Sequence, residues 1–135
     1  MERKLEREQV FCLVFEQALR QDSADEILKD AAEIRDFIAT DYIENTFTGV
    51  CSRLAEIDAA ITPHLTRWTL DRISKPALAL LRLAVYEILY NEDIPAGVAA
   101  NEAVELAKKY SSDKAPSFIN GVLGAYTKTL DRPEA

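Results

Sequence analysis

Glycine and proline are scarce, four and five in 135 residues. With so few of them beside long Ala/Leu/Glu/Lys-rich runs, the composition points to an all-α fold. Cysteine is nearly absent: Cys12 and Cys51 stand alone, without CxxC spacing. That excludes a disulfide framework or a zinc ribbon, and both positions fall in apolar helical patterns, as buried reduced thiols of a cytosolic protein would. The one histidine, His64, has no cysteine or acidic residue at ligand spacing, so neither a metal nor a catalytic role is expected of it. No apolar run approaches the ~18 residues of a membrane span, and no signal peptide opens the chain. A cytoplasmic location follows as the expectation. Phosphate loops of the GxxxxGK[ST] or GxGxxG kind are missing too. So is a surplus of positive charge. The net charge is −7, which argues mildly against nucleic acid. Any RNA binding must then rest on a local basic patch, be salt-sensitive and lean on a partner.

What is present is a hydrophobic content of 48%, ample for a core in one domain over residues 1–135. The spacing predicts about six main helices. The first spans residues 2–21, charged in its opening turns and apolar from Val10 to Leu19. Ser23 with Glu26 reads as a capping box for a second helix, whose stripe is Ile27, Ala31, Ile34 and Ile38. Thr40-Asp41 caps a third, with a packing seam of Ile43, Phe47, Val50, Leu54, Ile57 and Ile61. Gly49 interrupts that seam at a cost of about 1 kcal/mol relative to alanine, which a close helix crossing would explain. Trp68 reads as a core aromatic joining the halves. Ser74-Lys75-Pro76 opens the fourth helix, the fifth runs from about Pro95 to Tyr110, and the sixth from about Pro116 to Leu130. Gly121 and Gly124 would admit a neighbouring backbone, and the tail after Leu130 should fray.

Arg3 and Arg7 share one side of the first helix, with Lys4 beside them. Spacing alone describes a solvated, salt-bridged helix start. Cations are nevertheless disfavoured near a helix N-terminus, which mildly favours a functional reason for them. Lys108, Lys109 and Lys114 form a second basic element, consistent by itself with lysines complementing a helix C-terminus. Asn101-Glu102 invites an acid–base reading, but no nucleophile, histidine or second placed carboxylate accompanies it. The chain is therefore not expected to be an enzyme. A structural pair between Arg82 and Glu102, across the fourth and fifth helices, is the plainer expectation.

The densest signals lie in residues 81–122. They are Leu81-Arg82, Tyr86-Glu87, Asp93-Ile94-Pro95, the run from Asn101 to Lys108, and Phe118-Ile119-Asn120-Gly121-Val122. In that order and spacing they resemble the NusB family of transcription antitermination factors. The resemblance implies an all-α fold of two packed three-helix halves. It also implies an arginine-rich N-terminus that contacts the boxA element of nascent ribosomal RNA. Carried over, the RNA-binding candidates are Arg3, Lys4, Arg7, Phe15, Lys114, Ser117 and Phe118. Phe15 and Phe118 read equally well as core aromatics. Leu5 and Glu6 depart from the family pattern and lower the local charge.

The family works with NusE, a ribosomal small-subunit protein, and Ala77 stands on the implied partner face where an acidic residue is usual. The function implied is that of an RNA-binding adaptor. With NusE on boxA-like single-stranded RNA, it would load an antitermination complex on RNA polymerase, with no cofactor. Two other readings stay open. NusB-like domains also precede RNA cytosine methyltransferases, although no glycine-rich cofactor domain follows here. A purely protein-binding helical module, as a homodimer, is the other.

Overall fold

The computed structural model describes residues 2–35 and 37–130. The expected fraying of the tail falls outside them. Among the described residues seven α-helices form: α1 (Arg3–Arg20), α2 (Ala24–Arg35), α3 (Asp41–Ser52), α4 (Leu54–Ile61), α5 (Lys75–Tyr90), α6 (Ala96–Tyr110) and α7 (Ala115–Thr127). Short 3-10 turns at Thr62–His64 and Leu70–Arg72 join α4 to α5. Among the described residues no helix is long and apolar enough to cross a membrane.

The helix ends follow local chemistry. The Ser23 hydroxyl accepts from the Glu26 amide at 3.2 Å, Thr40 from Ile43 at 3.3 Å and Ser74 from Ala77 at 3.4 Å. Each bond satisfies one of the amides a helix start leaves unpaired. At the end of α1, Gln21 turns left-handed at φ 60° and its amide bonds the Gln17 carbonyl at 2.7 Å. That conformation stops the helix and aims the chain into α2.

α5 is the central element, packed against α1, α3, α4, α6 and α7. Its sequence accounts for that position: Leu78, Leu80, Leu81, Leu83, Val85 and Ile88 are buried around most of its circumference. α1 lies across α5 and α3, and so ties the N-terminal helices to α5, α6 and α7. α6 and α7 pack on each other and on α5.

Four expectations need correction. The third helix of the sequence reading is two helices, because at Arg53 the backbone leaves helical geometry and its amide bonds Val50 at 3.2 Å, one residue short of the α pattern. Its seam survives the break, with Ile43, Phe47, Val50, Ile57 and Ile61 buried. The α2 stripe is cut short: Ile34 and Ile38 are 79% and 82% exposed, since α2 ends at Arg35 and only its inner turns meet α1 and α3. Trp68 is not core but half-exposed, on the connection between the two 3-10 turns. Gly121 and Gly124 face open space, with nothing within 4 Å of an added Cβ. The close crossing belongs to Gly49 instead, where a Cβ would collide with the Tyr86 ring of α5.

Candidate nucleic-acid interface

The opening turns of α1 carry three cations in three different states. Arg3 keeps 53% of its side chain exposed, with Nε 3.4 Å from Glu6 Oε1. Its guanidinium lies 4.0 Å from the centre of the Tyr42 ring on α3. Lys4 is exposed beside α6, in a shallow depression shared with Glu102, Glu105 and Lys108. Arg7 points inward and is buried.

Arg7 Nε donates to Glu87 Oε1 at 2.8 Å, and its Nη2 reaches Oε2 at 3.4 Å. The Tyr42 hydroxyl donates to the same Oε2 at 2.7 Å. Burial by itself would lower the Arg7 pKa, but the bond to Glu87 and its charge outweigh that and hold it above the ordinary value. Burial and the Glu87 carboxylate push the Tyr42 hydroxyl up, so it stays protonated and donates. The structure thus places Arg7, expected as a phosphate contact, inside the fold and paired to Glu87. One guanidinium edge, Nε with Nη2, is committed to Glu87, and the side chain is buried inside the fold. It locks α1 to α5 and, through Tyr42, to α3.

That lock explains the cations at the wrong end of a helix dipole. Arg7 is neutralised by Glu87. Arg3 is held by Glu6 and by the face of Tyr42. Glu6 is anchored in turn by the Thr40 hydroxyl just before α3, which keeps its carboxyl below the usual range. Arg3 is thus held on a fixed base with about half of its side chain exposed.

One turn further along, Glu8 joins α1 to the end of α6. It accepts from Lys109 Nζ at 2.6 Å and from the Tyr110 hydroxyl. Lys109 is therefore occupied, as Lys108 is with Glu105 at 2.8 Å. Phe15 is half-buried, its ring parallel to Phe11 at 6.1 Å between centroids, and Phe11 in turn meets Tyr110 at 5.0 Å. It extends an aromatic row that is part core and part surface.

The other candidates gather elsewhere. Lys114, Ser117 and Phe118 line a groove of about 730 Å³ between the α6–α7 loop and the start of α5. Ala77 belongs to it as well, buried at 3% exposure. Trp68, Arg72 and Ile73 complete the opposite wall. The N-terminal cations line no part of this groove, so the candidates divide into two places.

The expected pairing of Arg82 with Glu102 is not made. Arg82 forks onto Asp58 of α4, with Nε–Oδ1 and Nη2–Oδ2 both 2.9 Å. α5 is rotated so that Arg82 faces α4, while Glu102 lies toward Lys4. Among the described residues no cluster of His, Cys, Asp and Glu is placed to hold a metal. Cys12 and Cys51 are half-buried and unpaired with each other, and burial pushes both thiols up, Cys51 to about 11.

A profile of the NusB family matches residues 4–128. The chain belongs to the NusB family. A transcription antitermination protein NusB of Clostridium novyi is 44% identical, over 95% of this chain and 99% of its own length. One from Listeria monocytogenes is 45% identical, over 91% and 94%. Among solved structures, NusB of T. maritima superposes with a TM-score of 0.83 at 30% identity, covering 95% of this chain and 92% of that one. A crystal structure of antitermination factors NusB and NusE in complex with double-stranded RNA superposes at 0.82 with 29% identity, covering 96% and 100%. NusB architecture therefore extends over nearly all of this chain.

Two groups of residues escaped the sequence reading. Tyr42 and Glu87 organise the α1 start, and Glu87 sat in plain view inside the NusB-like Tyr86-Glu87 pair without an assigned partner. Trp68 and Arg72 wall the groove. Both lie in the irregular connection before α5, where no periodicity reports which way a side chain faces.

Proposed function

We propose that this protein is a transcription antitermination factor. It binds a boxA-like single-stranded RNA together with NusE and brings the pair to RNA polymerase during ribosomal RNA synthesis, in the bacterial cytoplasm. The observation that carries this reading is the division of labour at the α1 start. Arg7 is buried as a lock, and Arg3 is thereby presented at the surface on Tyr42 with Lys4 beside it. A cation already fixed in place loses less side-chain entropy when it meets a phosphate. Lys114, Ser117 and Phe118 supply a second, separate surface. Few cations on a chain of net charge −7 imply weak binding alone. A partner that adds positive charge and contact area corrects that. The resemblance to the NusB–NusE assembly supports the same reading. No bond is made or broken in this mechanism. Phosphates are neutralised by Arg3, Lys4 and Lys114, and unpaired bases meet aromatic and polar side chains.

The test is a titration of a short boxA RNA against the protein, alone and with its own NusE, over a range of salt. Scrambled and duplex RNA serve as competitors. The expected result is tighter binding with NusE, preference for the single-stranded boxA sequence, and weakening by Arg3→Ala and Lys4→Ala. Each lost phosphate contact should reduce the log–log salt slope by about 0.7. Equal binding of scrambled RNA, or none with NusE present, would overturn the reading.

A further inference from the structure

The shallow depression between the opening turns of α1 and the second half of α6 has an unusual charge pattern. It is lined by Lys4 and Glu8 of α1 and by Glu102, Glu105, Lys108 and Lys109 of α6. Three lysines thus meet three glutamates, and the depression is formally neutral. Its two ion pairs are not equivalent. Lys109 Nζ lies 2.6 Å from Glu8, whose side chain is only 16% exposed and also accepts from the Tyr110 hydroxyl, so this bridge ties α1 to α6. Lys108 Nζ lies 2.8 Å from Glu105 within one helix, with 63% and 43% of the two side chains exposed. An exposed pair three residues apart contributes little to stability, so the fold has small need of Glu105. Lys108 and, behind it, Lys4 hold the Glu105 carboxyl below its usual range. Lys4 makes no ion pair of its own among the described residues. A phosphate that approaches Lys4 therefore meets Glu105, and half-buried Glu102 about one turn earlier on the same helix face.

We propose that Glu105, supported by Glu102, is a specificity-determining residue that acts by repulsion: it cancels Lys4 and Lys108 toward a bare phosphate chain and so disfavours RNA of the wrong sequence. This rests on the RNA-binding reading above and adds to it the element that rejects. Attraction between lysines and phosphates is blind to sequence and samples every accessible cation. Discrimination rises when the wrong partner is repelled as well as when the right one is held. A boxA strand with NusE is fixed in one register by its bases and loses little to a carboxylate outside that register. A scrambled strand has only phosphates to offer, and the matched carboxylates leave it little to hold.

The test compares labelled boxA RNA and scrambled RNA by anisotropy, each titrated with NusE and the wild-type, Glu105→Gln or Glu33→Gln protein. Glu33, exposed on α2, supplies the same change of net charge away from the depression. Glu105→Gln is expected to tighten scrambled RNA about three- to tenfold and boxA RNA less than about twofold. The salt slope for scrambled RNA should steepen by about 0.7, one further phosphate contact. Lys108→Gln should change little by itself and should abolish the gain when combined with Glu105→Gln. Glu33→Gln should leave both affinities near wild type. Thermal melts of each variant show that the comparison is between folded proteins. Scrambled RNA that binds Glu105→Gln no better than wild type would overturn the inference and leave the RNA reading standing. So would equal tightening of both RNAs, or an equal effect of Glu33→Gln, which would reduce Glu105 to a share of the net charge. Absence of boxA binding by the wild-type protein with NusE would sink the RNA reading, and this inference with it.

Discussion

Arg7 and Glu87, eighty positions apart in the chain, form a buried two-pronged pair that a third residue, Tyr42, completes. The pair joins α1 to α5, and its third member brings in α3. Burying two charges is costly, and the geometry offsets that cost through three hydrogen bonds on one carboxylate. The same arrangement fixes the height and rotation of the α1 start, where Arg3 and Lys4 emerge.

Breaking this pair from one side should be expensive. Glu87→Leu or Arg7→Met alone is expected to cost about 3–5 kcal/mol in urea unfolding. The double variant Arg7→Met/Glu87→Leu should cost clearly less than the sum of the two sides. Additive losses would mean that the two side chains do not act as a unit.

Tyr42 should matter to RNA through its ring. Tyr42→Leu removes the surface under Arg3, and Tyr42→Phe keeps it while losing the bond to Glu87. RNA affinity is expected to fall roughly two- to fivefold in the leucine variant and to survive in the phenylalanine one. In a double-mutant cycle on RNA binding, Arg3→Ala and Tyr42→Leu should be non-additive. A merely structural tyrosine would give additive losses.

The Arg82 partner can be read by the same kind of cycle. Arg82 with Asp58 should show a coupling of about 1–3 kcal/mol, the range for a part-buried forked pair. Arg82 with Glu102 should show none beyond experimental error.

Gly49 should be intolerant for a reason that depends on Tyr86. Gly49→Ala is expected to destabilise by about 1–3 kcal/mol, as the Tyr86 ring is displaced. In a Tyr86→Ala background the same change should stabilise, by up to about 1 kcal/mol of recovered helix propensity. If alanine destabilises equally in both backgrounds, the crossing is not what requires glycine.

The Glu8–Lys109 bridge predicts a pH signature. Lys109 and Tyr110 hold the Glu8 carboxyl below its usual 4.5. A carboxylate with a depressed folded-state pKa stabilises above its unfolded value and loses that contribution as pH falls through the folded one. Glu8 in turn raises Lys109 above its usual 10.5, so the lysine's share is present below that value and fades as pH rises through the folded one. The stability gap between wild type and Lys109→Met should therefore be widest near neutrality and close at both extremes. A gap that persists unchanged at pH 2 would speak against the bridge.

Much of the fold was legible before any coordinates. Helix starts were marked by Ser23, Thr40 and Ser74, whose hydroxyls act on amides three residues away, within the reach of a sequence window. The apolar seam from Ile43 to Ile61 was visible for the same reason, although the break at Arg53 carried no glycine or proline to announce it. The candidate site was legible only in part. Arg3, Lys4 and Arg7 share a helical side on paper, but one helical turn separates a solvated arginine from a buried one.

The chain's own order of residues settled the all-helical class, the approximate helix limits and the NusB pattern. These rest on interactions between residues a few positions apart, which every copy of the sequence carries with it. Tertiary structure alone decided that Arg7 meets Glu87, that Arg82 chooses Asp58 over Glu102, that Gly49 and not Gly121 sits at a crossing, and that Trp68 faces a groove. Each of these depends on how one helix is rotated and placed against another. That placement is a collective result of packing the whole core around α5, and no local stretch encodes it.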